Sequence, residues 1–311
     1  MANIDLYALN SMICNDPVGA VQRAEDDYHT RIARIADHVV NSGSIRVILI
    51  AGPSGSGKTT SANLIKDAIT ARGRRTIVVS LDDFYRDSTD PEYPRQPDGG
   101  LDYECPESLR LDEIAETLAK ISRGEDFDIP KYDFKVGGRV KLNHYSAMPD
   151  GCVIVEGLHA LNSKISAKLS RENTVKIFIS VSTNVYENDV PILSGRKMRF
   201  LRRMVRDNLY RGADARRTLE MWHDVLAAED VYLYPYKRDA DLAFDTFHLF
   251  ELGVMKPHAE RLLTDEIVAL DPYAEIVRNA IDKLAVLDER LVPEDSLIKE
   301  FIPGGKYESV Y

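Results

Sequence analysis

The chain has 311 residues, 44% of them hydrophobic, and a formal net charge of −10. This is enough apolar material for one large α/β core or two small ones, and the acidic balance argues against nonspecific nucleic-acid binding by the surface as a whole. Cys14, Cys105 and Cys152 are far apart and form no C-x-x-C pair, so neither a zinc ribbon nor a disulfide framework is suggested, and a reducing, cytoplasmic setting is expected.

The opening Met1-Ala-Asn-Ile-Asp-Leu has no basic region and no apolar core, so it is not expected to be a signal peptide, and no run approaches a membrane span. Residues 1–18 carry no clear pattern. A helix is predicted over 21–40, with Val21, Tyr28, Ile32, Ile35 and Val39 on one side and Gly43 ending it.

The unbroken apolar run 47–50 reads as a parallel strand covered on both faces. Directly after it, Gly52, Gly57, Lys58 and Thr59 fit G-x-x-x-x-G-K-[ST], within the stretch Gly52-Pro-Ser54-Gly55-Ser56-Gly57-Lys58-Thr59-Thr60. The glycines let the backbone curl so that successive N–H groups face one anion, and the helix from Lys58 adds its positive N-terminal end. Lys58 is placed to reach the outer phosphates of a nucleoside triphosphate, and the Thr59 hydroxyl to ligate Mg²⁺. A dinucleotide fingerprint fails, because Thr60 stands where a third glycine would follow Gly55 and Gly57.

A second buried strand is predicted over 76–81, ending in Asp82 and Asp83. Residues 87–104, rich in Pro, Gly, Asp and Tyr, read as a long loop, and 106–124 as a helix. Residues 129–145 suggest an edge or irregular segment with a hairpin turn at Gly137-Gly138. Strands are predicted over 152–157, ending in Glu156, and over 175–181, with a short fifth over 241–245. Helices are predicted over 196–210, 216–228, 251–264 and 272–287, and the tail from Val292 reads as loop. Alternating strands and helices imply an α/β fold with a parallel sheet and helices on both faces.

Phosphoryl transfer to an alcohol needs a triphosphate cradle, a divalent ion, a base for the acceptor hydroxyl and cations for the moving charge. Asp82, at a strand's carboxyl end, is the candidate base and a contact of the metal shell. Glu156 resembles a Walker-B-type carboxylate that holds Mg²⁺ directly or through water. Arg199, Arg202, Arg203 and Arg206 make a cationic stripe beside an apolar one, read as a lid closing on the phosphates. The stripe has no interleaved aromatics to stack bases, which disfavours a nucleic-acid role. The histidines show no metal-binding spacing, with His159, three residues after Glu156, the one to watch.

Together, GPSGSGKTT (52–60), SLDDFYRD (80–87), LDYECPESLRLD (101–112), IPKYDFKVGGR (129–139), VIVEGLHALN (153–162) and RRMVRDNLYRG (202–212) resemble the uridine kinase and phosphoribulokinase family of P-loop kinases. The closing SLIKEFIPGG looks like a uridine-kinase-like bacterial subgroup. The resemblance implies a P-loop NTPase-type fold with an arginine-rich helical lid. Its organisation would be an N-terminal helical extension at 1–44, a kinase domain at 45–265, and a C-terminal helix and tail at 266–311 packed on that domain. It implies ATP and Mg²⁺ as cofactors, Asp82 as catalytic base, Tyr85 beside the nucleoside, Asp102 on the ribose hydroxyls, and Tyr132 with Arg139 by the base. It further implies Glu156 supporting the metal, and Arg203, Arg206 and Arg211 as lid arginines, Arg206 and Arg211 steadying the transferring group. Gly137 stands where the family has a pyrimidine-reading His, and Met221 where a Gln follows the arginines. The acceptor is therefore read as nominally uridine or cytidine, with another nucleoside, a sugar or a polyol as alternatives and a non-catalytic ATP-binding module as the competing class. A small-molecule acceptor is expected as partner, without nucleic acid or membrane, and a homo-oligomer stays open.

Overall fold

The computed structural model describes residues 3–96 and 98–307. Residues 1–2, 97 and 308–311, which fall in the expected N-terminal extension, long loop and tail, lie outside the described residues. In chain order the elements are β1 (Asn3–Asp5), α1 (Leu6–Asn15), α2 (Pro17–Ser42), β2 (Val47–Ala51), α3 (Lys58–Ala71), β3 (Thr76–Ser80), α4 (Leu111–Arg123), β4 (Phe127–Asp133) and β5 (Gly138–Tyr145). Then follow β6 (Cys152–Glu156), α5 (Ser163–Ser166), β7 (Thr174–Ser180), β8 (Asn184–Glu187), β9 (Val190–Leu193), α6 (Gly195–Tyr210), α7 (Ala215–Tyr232), β10 (Leu242–Asp245), α8 (Glu251–Leu262), α9 (Asp265–Val268) and α10 (Pro272–Asp282).

Five parallel strands form the main sheet in the order β10-β7-β2-β6-β3. β2 is central, as its fully buried VILIA requires. The chain leaves β2 for the far edge at β3, returns to β6 beside β2, then crosses to β7 and β10. That reversal opens a crevice at the carboxyl ends of β2, β6 and β3, the place where open α/β sheets bind ligands.

The sheet's alternation divides the core. Ile48, Ile50, Ile154, Ile177 and Ile179 join the apolar sides of α2, α3, α6, α8 and α10. Val47, Leu49, Val153, Val155 and Phe178 face α4 and the β4–β5 hairpin. α2 starts at an Asp16 cap with Pro17 in its first turn, ends at Gly43 with φ 64°, and ties to α3 through Tyr28 Oη and Ser61 Oγ at 2.7 Å.

Two parts differ from the sequence expectation. Residues 3–15 form a strand and a helix, and β1 pairs in parallel with β8, which pairs with β9 in a separate three-stranded sheet. The tail runs in short turns, and within it Leu297, Ile298, Phe301 and Ile302 are fully buried in the core beside α3, a depth its loop pattern does not reveal. Trp222 is a core residue, packed on Phe200 at 5.5 Å.

Candidate active site

The loop between β2 and α3 needs its glycines for steric reasons. Gly55 and Gly57 have φ of 72° and 83°, in the region that favours glycine. A Cβ on Gly52 would stand 2.4 Å from the Ile179 carbonyl oxygen. The loop's outer side is fastened from behind. Arg199 donates to the Ser54 carbonyl at 2.8 Å, Arg202 to the Gly55 carbonyl at 3.2 Å, and Thr246 Oγ1 to the Ser56 carbonyl at 2.8 Å. The Ser54 N–H donates to Glu229, and Arg203 donates to the Ser54 hydroxyl at 2.9 Å.

The arginine stripe of α6 therefore divides by role. Arg199 and Arg202 are fully buried, forked onto Glu229 and Glu251. They brace the loop from the core side. Arg203, Arg206 and Arg211 gather around a single carboxylate, Asp207, at 3.2, 2.8 and 3.6 Å. With Glu300 also 4.0 Å from Arg206, three cations meet two carboxylates and a positive surplus remains, and the neighbouring Arg206 pushes the Arg211 pKa down to about 10.

Lys58 begins α3, with its Nζ 3.2 Å from the Pro53 carbonyl. Burial lowers its pKa, and the charges of Glu156, Asp82 and Glu300 oppose that. Thr59 Oγ1 lies 3.5 Å from a Glu156 carboxylate oxygen. Thr60 donates its N–H to Glu300 of the tail at 3.2 Å. Asp82 sits on the turn Leu81–Phe84 at the end of β3, exposed, with its N–H on the Ser80 hydroxyl at 3.3 Å. Its charge acts on Lys58, Glu156 and Arg211. Lys58, Glu156, Asp82 and the arginine cluster thus form one electrostatic unit at the carboxyl ends of β2, β6 and β3.

Glu156 is buried, and that burial, followed by the charge of Asp82, raises its pKa from 4.5 to about 7. A carboxyl whose folded pKa exceeds its unfolded one loses stability for the protein as pH rises between those values. In metal-free protein, Glu156→Gln should stabilise the fold at pH 8 and do little at pH 4. Urea unfolding in EDTA at both values checks this. The expected difference is about 1–3 kcal/mol, and an equal effect at both pH values would contradict it.

The donors suit a hard cation: a hydroxyl from Thr59 and a carboxylate from Glu156, with the Asp82 charge near. Among the described residues, no group of three or more His, Cys, Asp or Glu side chains could hold a metal ion. A Mg²⁺ ion here would draw most of its shell from phosphate oxygens and water.

The residues expected around the acceptor fall into two sets. Tyr85 and Tyr132 lie 5.7 Å apart in an aromatic cluster with Tyr103 and Phe134, and the Tyr85 hydroxyl donates to the Tyr103 carbonyl. Asp83 joins this cluster to β3, accepting the Tyr132 N–H at 3.3 Å and Lys131 at 3.1 Å. Asp102 instead caps its own turn, accepting the N–H groups of Glu104 and Cys105. Arg139 pairs with Glu113 and donates its N–H to Asp87. His159 is buried, and burial pushes its pKa down to about 4, so it is neutral.

Three acids at the site escaped the sequence reading. Glu104 is close enough to Arg203, Asp82 and Asp102 to feel their charges, and burial raises its pKa to about 7. Glu229 falls on the buried side of α7 with Trp222 and Val225. An acid at that spacing signals a buried ion pair. Glu300 lies between the apolar Ile298 and Phe301.

Among the described residues, no helix is long and apolar enough to cross a membrane. A uridine kinase of Schizosaccharomyces pombe is 32% identical over 180 residues, covering 58% of this chain and 35% of that protein. Uridine kinase-like protein 4 of Arabidopsis thaliana is 28% identical over 197 residues, covering 63% of this chain and 37% of that one. The chain thus spans little more than a third of the length of these curated relatives. A solved structure from Bacillus stearothermophilus, described as a possible uridine kinase, is 16% identical with a TM-score of 0.43, covering 68% of this chain and 98% of that one. The description of the phosphoribulokinase / uridine kinase family matches residues 47–250. That span holds all five strands of the main sheet, the phosphate loop and the arginine helix, and by it the chain belongs to the phosphoribulokinase / uridine kinase family.

Proposed function

We propose that the chain transfers the γ-phosphoryl group of ATP to a hydroxyl of a small molecule, with a nucleoside as the leading acceptor class. The observation that carries this is the convergence of Lys58, Glu156, Asp82 and the cluster of Arg203, Arg206 and Arg211 on the crevice beside the glycine loop. In this reading the loop from Gly52 to Thr60, through Ser54, Gly55, Ser56 and Gly57, cradles the phosphates. Thr59 and Glu156 would hold Mg²⁺, with Asp82 at its shell, and the ion would screen phosphate charge.

Asp82 takes the proton of the acceptor hydroxyl as its oxygen attacks the γ-phosphorus. The bond from that phosphorus to the bridging oxygen breaks, ADP leaves, and Asp82 passes the proton to solvent. Lys58, Arg206 and Arg211 neutralise charge on the group in transit. The rings of Tyr85, Tyr132 and Phe134 offer a wall for a flat base, which favours a nucleoside over a sugar or polyol. Arg203, bonded to the Ser54 hydroxyl and paired with Asp207, is assigned to the acceptor in this reading. The names of the relatives, uridine kinase and uridine kinase-like protein, agree with this acceptor class.

ADP release with MgATP and a panel of nucleosides, sugars and polyols tests the proposal. The expected result is acceptor-dependent release led by a nucleoside. Release led by a sugar or polyol would move the acceptor class, and no release with any acceptor would favour a non-catalytic ATP-binding module.

A further inference from the structure

The tail after α10 returns to the phosphate loop. Its short turn Leu297–Glu300 lies on the first turn of α3. Leu297 abuts the loop, with its side chain 2.7 Å from where a Cβ on Gly57 would stand. The Phe301 ring lies 5.0 Å from the Arg202 guanidinium carbon, and Lys306 and Tyr307 both bond to Asp67 on α3. Between these anchors Glu300 is 4% exposed. One of its oxygens accepts the Thr60 N–H at 3.2 Å, and the other lies 4.0 Å from Arg206 Nη1.

Those two partners belong to the phosphate seat. The Thr60 N–H is in the first turn of α3, where backbone donors lack partners within the helix and attract anions. Arg206 is one of the cations assigned to the transferring group. A carboxylate and a phosphate oxygen cannot both take the Thr60 N–H, because like charges in one small pocket repel.

We propose that Glu300 is a built-in competitor for the nucleotide: its carboxylate occupies part of the phosphate seat and must swing out when the polyphosphate binds. This rests on the nucleotide-site reading above. The tail as a whole stays in place. Releasing it would expose Leu297, Ile298, Phe301 and Ile302, all fully buried, at a cost comparable to all the free energy a micromolar ligand supplies. Turning one glutamate side chain costs far less. The hydrophobic anchors therefore hold the strap, and the single carboxylate sets how tightly the nucleotide binds.

The test is the dissociation constant of MgATP, by calorimetry without acceptor, for the full chain and for Glu300→Gln. The variant should bind about fivefold tighter or more, in the usual range of coupling between two ligands of one site. Equal or weaker binding by the variant, with the wild type binding normally, overturns the competitor and leaves the phosphate site standing. Failure of the wild-type chain to bind MgATP overturns both. A crystal of the wild-type chain with MgATP needs no variant. A phosphate oxygen should replace Glu300 on the Thr60 N–H, and Glu300 still seated there beside a bound nucleotide would refute the proposal.

Discussion

Lys58→Ala should lower the phosphoryl-transfer rate by about 10²–10⁴-fold while leaving the chain folded. Lys58 is the cation at the centre of the site. It starts α3, its Nζ is positioned by the Pro53 carbonyl at 3.2 Å, and it feels Glu156, Asp82 and Glu300 together. A pre-positioned charge in a partly dry pocket acts most strongly on the charge that develops as the phosphoryl group moves, so kcat should fall more than ATP affinity. Removal also leaves three acids without their shared counter-charge, so Glu156 should hold its proton to still higher pH. Steady-state kinetics at saturating ATP, with calorimetric binding alongside, checks this. A variant within about threefold of wild type in turnover would remove the loop from the chemistry.

Asp82→Asn should separate binding from turnover more fully: MgATP binding within a few-fold of wild type, and turnover down by about 10²–10⁴-fold, as for loss of a positioned base. The side chain is exposed at the mouth of the crevice, on the turn after β3. An acceptor hydroxyl can reach it there without displacing protein. The substitution should not destabilise the fold, because the Asp82 charge disfavours ionisation of both Glu156 and Glu104. Equal melting temperatures with lost turnover would assign the effect to chemistry. Wild-type turnover in this variant would take Asp82 out of its role.

Much of this architecture could be read from the chain before any coordinates. Of the five strands of the main sheet, the three inner ones, β2, β6 and β7, are apolar runs buried almost throughout, the edge strands β3 and β10 are partly exposed, and each of the five is predicted from the sequence. The glycine loop is legible because its geometry restricts residue type at fixed spacing. β1 was not legible: three residues carry no period, and the strand exists only because Asn3–Asp5 pairs with residues 184–186. The tail from Val292 reads as loop and does run in short turns; what its sequence does not show is that Leu297, Ile298, Phe301 and Ile302, too few to carry a period, supply core beside α3.

The arginine helix shows a different limit. A stripe of four arginines says that one side of α6 is cationic. It does not say that Glu229 of α7 and Glu251 of α8 will claim Arg199 and Arg202, leaving Arg203 and Arg206 with Asp207. Partners 30 and 49 residues away decide which charges are structural. Nor does the chain say that one Asp102 oxygen will accept the N–H groups of its own turn, or that Glu104 will feel the charges of Arg203 and Asp82.

In the proposed function the seat between β2 and α3 delivers a phosphoryl group to an alcohol held near Asp82. Phosphorus NMR of the full chain with MgATP and the best acceptor from the panel reads this directly. A new phosphomonoester resonance should grow in step with ADP and be absent with Lys58→Ala. ADP accompanied only by inorganic phosphate, or a phosphomonoester formed equally well by the Lys58→Ala protein, would contradict it.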